Sequence, residues 1–503
     1  MTTTESTPPA TQLSHWPADS AQLAASSRHA EVLDPATGEI VALVPMATAE
    51  DVDSIVGAAS AAFKRWRSTS IARRTAVLFR FRELLADRAE ELAVIISREH
   101  GKTLPDARAE IARGREVVEL ACGAGQLLQG PANANASSGV DVVTTRHPVG
   151  VAAVISPFNF PAMVPMWFHP VAIAAGNSVV LKPSEQVPGA ANWVAELWQE
   201  AGLPDGVFSV VHGDREAVDA LLVHPEVASV SFVGSTPVAR HVYETASAHG
   251  KRVQALGGAK NHMVVLPDAD LDHAADQAIN AGFGSAGQRC MAVSVVVAVG
   301  SIADDLVERI ARRARDLRVG PAATDPDLGP VISDTARVRV TRLVSEAESE
   351  GASVVVDGRS PKSGFNGFFV GPTLLDHVGP AMTVYREEVF GPVLAVVRVA
   401  DLAAALDLIN SGPYGNGVAI FTRDGGAARE FQAAVEVGMV GINVPVPVPV
   451  AYHSFGGWKS SLFGDTHAHG AEGFHFFTRA KAVTSRWPEA EPTGLDLDFP
   501  QNS

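Results

Sequence analysis

The chain has 503 residues, 46% of them apolar, a length that asks for two or three domains rather than one core. Its formal net charge of −16, with no basic block to offset it, repels nucleic acid and anionic membrane, and no run of about 18 apolar residues is present to span a bilayer. Two cysteines cannot build a disulfide framework, and the first twenty residues lack the basic start and apolar core of a signal peptide, so the expected compartment is the cytoplasm.

Residues 1–14 are rich in Thr, Ser and Pro and read as a disordered tail, with order expected from about His15. A helix is expected from Thr48, where Thr48 and Asp51 form a capping pair and Val52, Ile55, Val56, Ala59, Phe63 and Trp66 recur at helical spacing. Longer helical patterns run from Ile71 to His100 and from Leu104 to Leu128. The segment 132–150 alternates loosely and is expected to form a hairpin outside the main domains, with exposed edges that want a partner.

After Val149 the texture changes. The runs "VAAVI", "SVVL", "FSVV" and "SVSFV" alternate with helical stretches near 189–201, 215–223 and 237–248, the pattern of a parallel sheet built from βαβ units. A second series starts at "MVVL" (263–266) and continues through "VSVVVAV" (293–299) and "ASVVV" (352–356). Two α/β domains follow.

One of the two cysteines, Cys290, stands in "AGFGSAGQRCMA", where small residues admit close approach and Arg289 favours a reactive thiolate. In "SPFNFP" (156–161) two prolines bracket a rigid turn that projects Asn159. "LKPSE" (181–185) puts Lys182 and Glu185 at the carboxyl end of a strand, where dinucleotides bind; a carboxylate there bonds both ribose hydroxyls and repels a 2′-phosphate. "FVGSTPVAR" ends a strand and starts a helix, with Ser235 or Thr236 as N-cap and Pro237 at the first helical position, offering free N–H groups to a pyrophosphate. It is not GxGxxG, since Ala239 stands where a second glycine is common.

These motifs, with "GGAKN" (257–261), "GQRC" (287–290) and "EEVFGPV" (387–393), occur in the order found in the aldehyde dehydrogenase superfamily, and the resemblance runs from about His15 to Trp487. It implies an α/β fold with a Rossmann-type NAD domain (15–131 and 151–256), an α/β catalytic domain (257–451), and a small β oligomerisation arm and C-terminal segment (132–150 and 452–503) in a homodimer or homotetramer. It makes Cys290 the nucleophile, with Asn159 and the Cys290 backbone N–H as oxyanion donors. It assigns Lys182 and Glu185 to the adenosine ribose, hence NAD over NADP, with Gln186 in the same wall. Glu388 and Phe390 would hold the nicotinamide ribose, and Ser156, Phe158, Ser235 and Gly257 complete the cofactor contacts.

Many hydrolytic members carry a glutamate that activates water at the place held here by Ala255 or Leu256. Without that base another nucleophile, coenzyme A, becomes attractive. "AKNH", "GQRCMA" and "NVPVPVPVAYHSF" (443–455) resemble the CoA-acylating methylmalonate-semialdehyde and malonate-semialdehyde dehydrogenases. That resemblance implies Arg113 and Arg289 as carboxylate-binding residues, loss of CO₂, and acetyl-CoA or propionyl-CoA as product; one methyl does not decide between the two substrates. The alternatives are a hydrolytic semialdehyde dehydrogenase and a non-catalytic NAD-binding protein. Cys122 reads as packing, and His467, His469 and His475 lack a recognised ligand spacing, so no metal is expected.

Overall fold

The computed structural model describes residues 10–17, 28–361 and 364–487. Most of the expected N-terminal tail, and residues 488–503, lie outside the described residues. The ordered chain nevertheless starts before His15: Thr11–Gln12 pairs in parallel with Ile40–Pro45, which also takes His29–Leu33 as an antiparallel partner, and Leu13 packs against the buried Val32, Val41 and Val44. A small apolar core offsets the ordering cost of this Thr/Ser-rich stretch.

The first helix, α1 (Ala49–Trp66), carries the capping box expected of Thr48 and Asp51, and buries Val52, Ile55, Val56, Ala59, Ala62 and Trp66. The pattern from Ile71 breaks at Arg88 into α2 (Ile71–Asp87) and α3 (Ala89–His100). Arg88 leaves helical geometry, binds Glu91 and Glu200, and lies over the Trp193 ring. The next pattern is α4 (Leu104–Cys122), ended by Gly123 before a single turn at Ala124–Leu127.

Two sheets organise the rest. The first has the strand order Phe208–Val210, Ser178–Lys182, Val151–Ile155, Val227–Val233, Arg252–Leu256, all parallel, and Leu462–Phe463 closes the last edge antiparallel. These strands are buried almost throughout and read as continuous Val/Ala runs, as parallel strands covered on both faces must. The second sheet runs Ser353–Val356, Thr373–Asp376, Val393–Val399, Val293–Val299, Asn261–Val265, Gly417–Phe421, Met439–Ile442, parallel except for its first edge strand.

The hairpin is formed by Ala132–Ser137 and Val140–Pro148. Thr478–Arg486 adds a third strand to it, antiparallel along the whole of Val140–Pro148. Within the C-terminal segment, this strand joins the arm, whereas Leu462–Phe463 belongs to the first sheet.

Candidate active site

In the first sheet, Val151–Ile155 lies between Ser178–Lys182 and Val227–Val233, so the chain winds away from it in opposite directions. Such a switch point opens a crevice beyond the carboxyl ends of the strands, where open α/β sheets bind ligands. Ser156–Asn159 follow the first strand there, and Gly234–Ser235 follow the fourth. The crevice is a cleft of about 930 Å³. Ser156, Phe158, Lys182, Glu185, Gln186, Ser235 and Gly257 line its first-domain wall; Glu388 and Phe390 face them from the second domain, and Asn159 and Cys290 stand where the two meet. Asp219, His241 and Arg339 also line it, and none belongs to a sequence motif singled out above.

The cleft fits a dinucleotide on its own chemistry. Lys182 Nζ lies 3.2 Å from Glu185 at the end of Ser178–Lys182. Ser156 Oγ is buried with no hydrogen-bond partner among the described residues, so the wall holds a hydroxyl that wants one. Helix Thr236–Ala248 begins on the cleft with Ser235 at its cap position, although the Ser235 side chain makes no capping bond and Pro237 is second, not first, in the helix. Thr236 Oγ1 instead accepts the Gly258 N–H at 2.9 Å, tying the helix start to the 257–258 turn.

Glu388 is held from several sides. Its Oε1 accepts the Ala259 N–H at 3.0 Å, while Arg339 donates to its carbonyl at 2.6 Å and to that of Val389 at 2.7 Å. Lys260 Nζ donates to the carbonyls of Val384 and Glu387 at 2.6 and 2.7 Å, so the "GGAK" lysine fastens the Glu388 turn. Burial pushes Lys260 down to about 7 and pushes the Glu388 carboxyl up. A Cβ at Gly258 would sit 2.5 Å from Glu388 Oε2, so a side chain there would displace that carboxylate.

The nucleophile loop follows helix Leu271–Phe283. Ser285 and Ala286 both adopt φ of 51°, the left-handed region, and Gly287 follows at 71°, where a Cβ would meet the Gly391 carbonyl at 2.1 Å. Such backbone persists only where its surroundings over-determine it. Here Asp106, near the start of α4, does so: one carboxylate oxygen accepts from the Ser285 N–H and hydroxyl at 3.1 and 3.2 Å, and the other takes Arg289 at 2.5 Å.

Arg289 favours the Cys290 thiolate as the sequence implies, but its pull is outweighed. The Arg289 charge is already answered by Asp106, and the thiol is pushed up to about 12, first by burial and then by Glu388. The backbone N–H groups of Cys290 and Met291 and the Arg289 charge pull the other way without prevailing. Cys122 is half-buried against the core of the first domain, and burial raises it to about 11.

Asn159 is buried, and its amide donates to the Gln288 carbonyl at 3.0 Å, bringing it beside the nucleophile loop with its second N–H unspent among the described residues. Behind it lies a pair that the sequence reading missed. Lys102 Nζ donates to the Asn159 carbonyl at 2.7 Å and to Glu110 at 2.6 Å, and the other Glu110 oxygen accepts the N–H groups of Ala162 and Met163; both side chains are fully buried. A lysine beside a helix start whose buried face includes a glutamate was the available signal.

Asp106, Glu110 and Arg113 lie on one face of α4, at successive helical turns. Arg113 there binds Glu116 at 2.8 Å and the Pro449 carbonyl at 2.6 Å, so its guanidinium is fixed between its own helix and the Val-Pro segment. The alternating prolines of 444–450 have no N–H, which leaves a side-chain donor to satisfy that carbonyl. Ala255 and Leu256 are both buried on the last strand of the first sheet, with no proton acceptor in either side chain. His469 is buried with Nδ1 on the Ala451 carbonyl and His467 meets Ser454; among the described residues no three His, Cys, Asp or Glu side chains are grouped to hold a metal.

The sequence matches the Aldehyde dehydrogenase family over residues 23–483. The chain belongs to that family. Relatives of this aldehyde dehydrogenase include malonate-semialdehyde dehydrogenase from Pseudomonas aeruginosa, 52% identical over 93% of this chain and 95% of the relative. Malonate-semialdehyde dehydrogenase 2 from Geobacillus kaustophilus is 49% identical over 92% and 96%. Among solved structures, a methylmalonate-semialdehyde dehydrogenase from Oceanimonas doudoroffii superposes with a TM-score of 0.91 at 55% identity, covering 92% of this chain and 96% of that one. A Sinorhizobium meliloti protein complexed with NAD has the same TM-score and coverage at 50% identity. The fold is the α/β architecture that the motifs implied. Among the described residues no helix is long and apolar enough to cross a membrane.

Proposed function

We infer that this aldehyde dehydrogenase oxidises a 3-oxo acid of the malonate-semialdehyde class, using NAD and coenzyme A and releasing CO₂ with acetyl-CoA, or propionyl-CoA from the methyl-substituted substrate. The observation that carries the reading is the buried apolar pair Ala255–Leu256 where hydrolytic relatives place a water-activating glutamate. Its support from relatives is the names of proteins about half identical along nearly their full length.

NAD bound in the cleft supplies the hydride acceptor. Glu185 and Lys182 bind the adenosine ribose, Ser235 and the helix start the pyrophosphate, and Glu388 and Phe390 the nicotinamide end, with Ser156, Phe158, Gln186 and Gly257 shaping the walls. Cys290 gives up its proton to solvent in the open cleft and attacks the aldehyde carbon as the thiolate, its sulfur gaining a bond as the carbonyl oxygen takes the negative charge. The free N–H of Asn159 and the Cys290 N–H stabilise that oxyanion. Hydride loss leaves a thioester on Cys290, and the β-carboxylate departs as CO₂. Its electron pair passes to the thioester oxygen at the same donors, and the carbon is then protonated. The thiolate of coenzyme A displaces Cys290 to release the acyl product. Arg289 and Arg113 offer N–H groups to the substrate carboxylate before it leaves, each already steadied by a neighbouring acid.

A second reading, hydrolysis to a free acid, is favoured by the buried Glu388, whose raised pKa and nearness to the thiol suit a general base. Product analysis separates them. With NAD and semialdehyde alone, the first reading expects a burst of NADH that stalls until coenzyme A is added. Steady NADH formation with free acid as product overturns it in favour of the second.

The same reading makes the protein a cytoplasmic homo-oligomer, dimer or tetramer. Its support is the three-stranded arm, which exposes Val143 and Val483 and, among the described residues, leaves Ala132–Ser137 and Thr478–Arg486 as open edges.

A further inference from the structure

Two asparagines outside the mechanism above meet at one atom. Asn261 heads Asn261–Val265, and Asn416 immediately precedes the neighbouring strand Gly417–Phe421. Asn261 Nδ2 donates to the Cys290 carbonyl at 2.9 Å and Asn416 Nδ2 donates to the same oxygen at 3.1 Å, so both of its lone pairs are spent on side-chain amides. Each donor is itself fixed. Asn261 Oδ1 accepts the Gly417 N–H at 3.2 Å, its amide also reaches the Ala292 carbonyl at 3.0 Å, and Asn416 Nδ2 contacts Met291 Sδ at 3.0 Å. Both side chains are buried, where an amide is placed for what it bonds and where hydrogen bonds polarise one another more strongly than in water.

The oxygen they share belongs to the peptide that joins Cys290 to Met291, and the N–H of that same planar unit is one of the groups that favour the Cys290 anion. A peptide that accepts at its oxygen donates more strongly at its nitrogen, because resonance moves charge from nitrogen to oxygen. We propose that Asn261 and Asn416 stabilise the Cys290 thiolate through this peptide, strengthening the Met291 N–H as a donor to the sulfur and holding it in place. They are positioning residues and touch neither substrate nor cofactor. The charged groups acting on the sulfur are Glu388, which opposes the anion, and Arg289, which favours it but is paired with Asp106. With Arg289 so engaged, neutral donors carry more of the task. The proposal rests on Cys290 being the nucleophile, which the loss of NADH formation in Cys290→Ala tests separately.

The test uses Cys122→Ser as background, so that Cys290 is the single thiol, and reads the rate of iodoacetamide alkylation at one fixed pH with NAD saturating. Asn416→Leu and Asn261→Leu remove the donors at nearly constant volume. A rise of about one unit in thiol pKa leaves about tenfold less thiolate of somewhat greater nucleophilicity, so alkylation should slow about threefold in each variant and further in the double variant, while NAD affinity is retained. Loss of bracing alone would loosen the loop and leave the rate unchanged or faster. That result in a folded variant overturns the proposal. Should the leucine variants not fold, Asn416→Ala carries the same expectation, and Asn416→Ser, which keeps a hydroxyl donor, should lie between alanine and wild type. An Asn416→Ala rate equal to wild type likewise overturns it.

Discussion

Asp106 holds Arg289 by a 2.5 Å ion pair, one residue before the thiol, and caps Ser285 at the other end of the same loop. A single carboxylate on α4 therefore sustains the left-handed run Ser285–Gly287 and fixes the register of Cys290. Removing it should release the strain stored there. Asp106→Ala is expected to cost about 2 kcal/mol of stability, as loss of charged hydrogen bonds in a half-buried setting does, and to slow the single-turnover NADH burst. Asp106→Asn, which keeps one acceptor oxygen, should fall between. Urea unfolding together with stopped-flow NADH absorbance checks both, and an undiminished burst in Asp106→Ala would mean that the loop holds its geometry without this contact.

The two thiols cannot be told apart by acidity, since burial raises both, Cys122 to about 11 and Cys290 to about 12. Position separates them: Cys290 lines the cleft with Asn159 and Glu388, and Cys122 packs at the end of α4. Cys290→Ala should abolish NADH formation and retain NAD binding, whereas Cys122→Ala should leave turnover nearly intact. In NAD-free protein, the alkylation of Cys290 should still be rising with pH above 9, about tenfold per unit, because the thiolate is the reactive form and its pKa lies higher. A plateau below pH 9 would contradict the buried setting of the sulfur.

The parallel sheets were legible because strands buried on both faces must be written as apolar runs, and "VAAVI", "SVVL" and "VSVVVAV" are such runs. The cleft was legible for a related reason: its walls are the first residues after those strands. The break at Arg88 was not legible, since "ADRAEE" contains no Gly or Pro and the distant partners Glu200 and Trp193 shape it. Nor was the third arm strand, because Thr478–Arg486 finds its partner more than three hundred residues earlier. Asp106, Lys102 and Asn416 escaped for the same reason. Each acts on the loop or turn of another segment, and nothing local to "GKTLPDA" or "YGNG" records that contact.

Glu185 stands at the mouth of the cleft, 3.2 Å from Lys182 and partly exposed, where a carboxylate accepts ribose hydroxyls and repels an added phosphate. Wild-type kcat/KM should favour NAD over NADP. Glu185→Gln should lower efficiency with NAD and raise it with NADP, narrowing the ratio by about tenfold or more, the value of about one to two kcal/mol. Steady-state kinetics with both cofactors measures the change. A wild-type preference for NADP, or an unchanged ratio in the variant, would remove Glu185 from cofactor choice.

Lys102 and Glu110 form a fully buried pair that carries the Asn159 carbonyl on one side and the Ala162 and Met163 N–H groups on the other. Removing one partner strands the other charge out of water, and the expected cost is about 3–5 kcal/mol for Lys102→Met or Glu110→Leu alone. Replacing both with apolar residues leaves no lone charge, so the double variant should be much less destabilised than the sum of the singles. It should nevertheless remain slow in the NADH burst, because the Asn159 turn has lost its anchor even though the core is repacked. Thermal unfolding and burst amplitude, measured on the singles and the double, therefore separate stability from positioning. A double variant with wild-type burst kinetics would show that Asn159 holds its place through the Gln288 carbonyl and its own turn, and that the buried pair serves the fold alone.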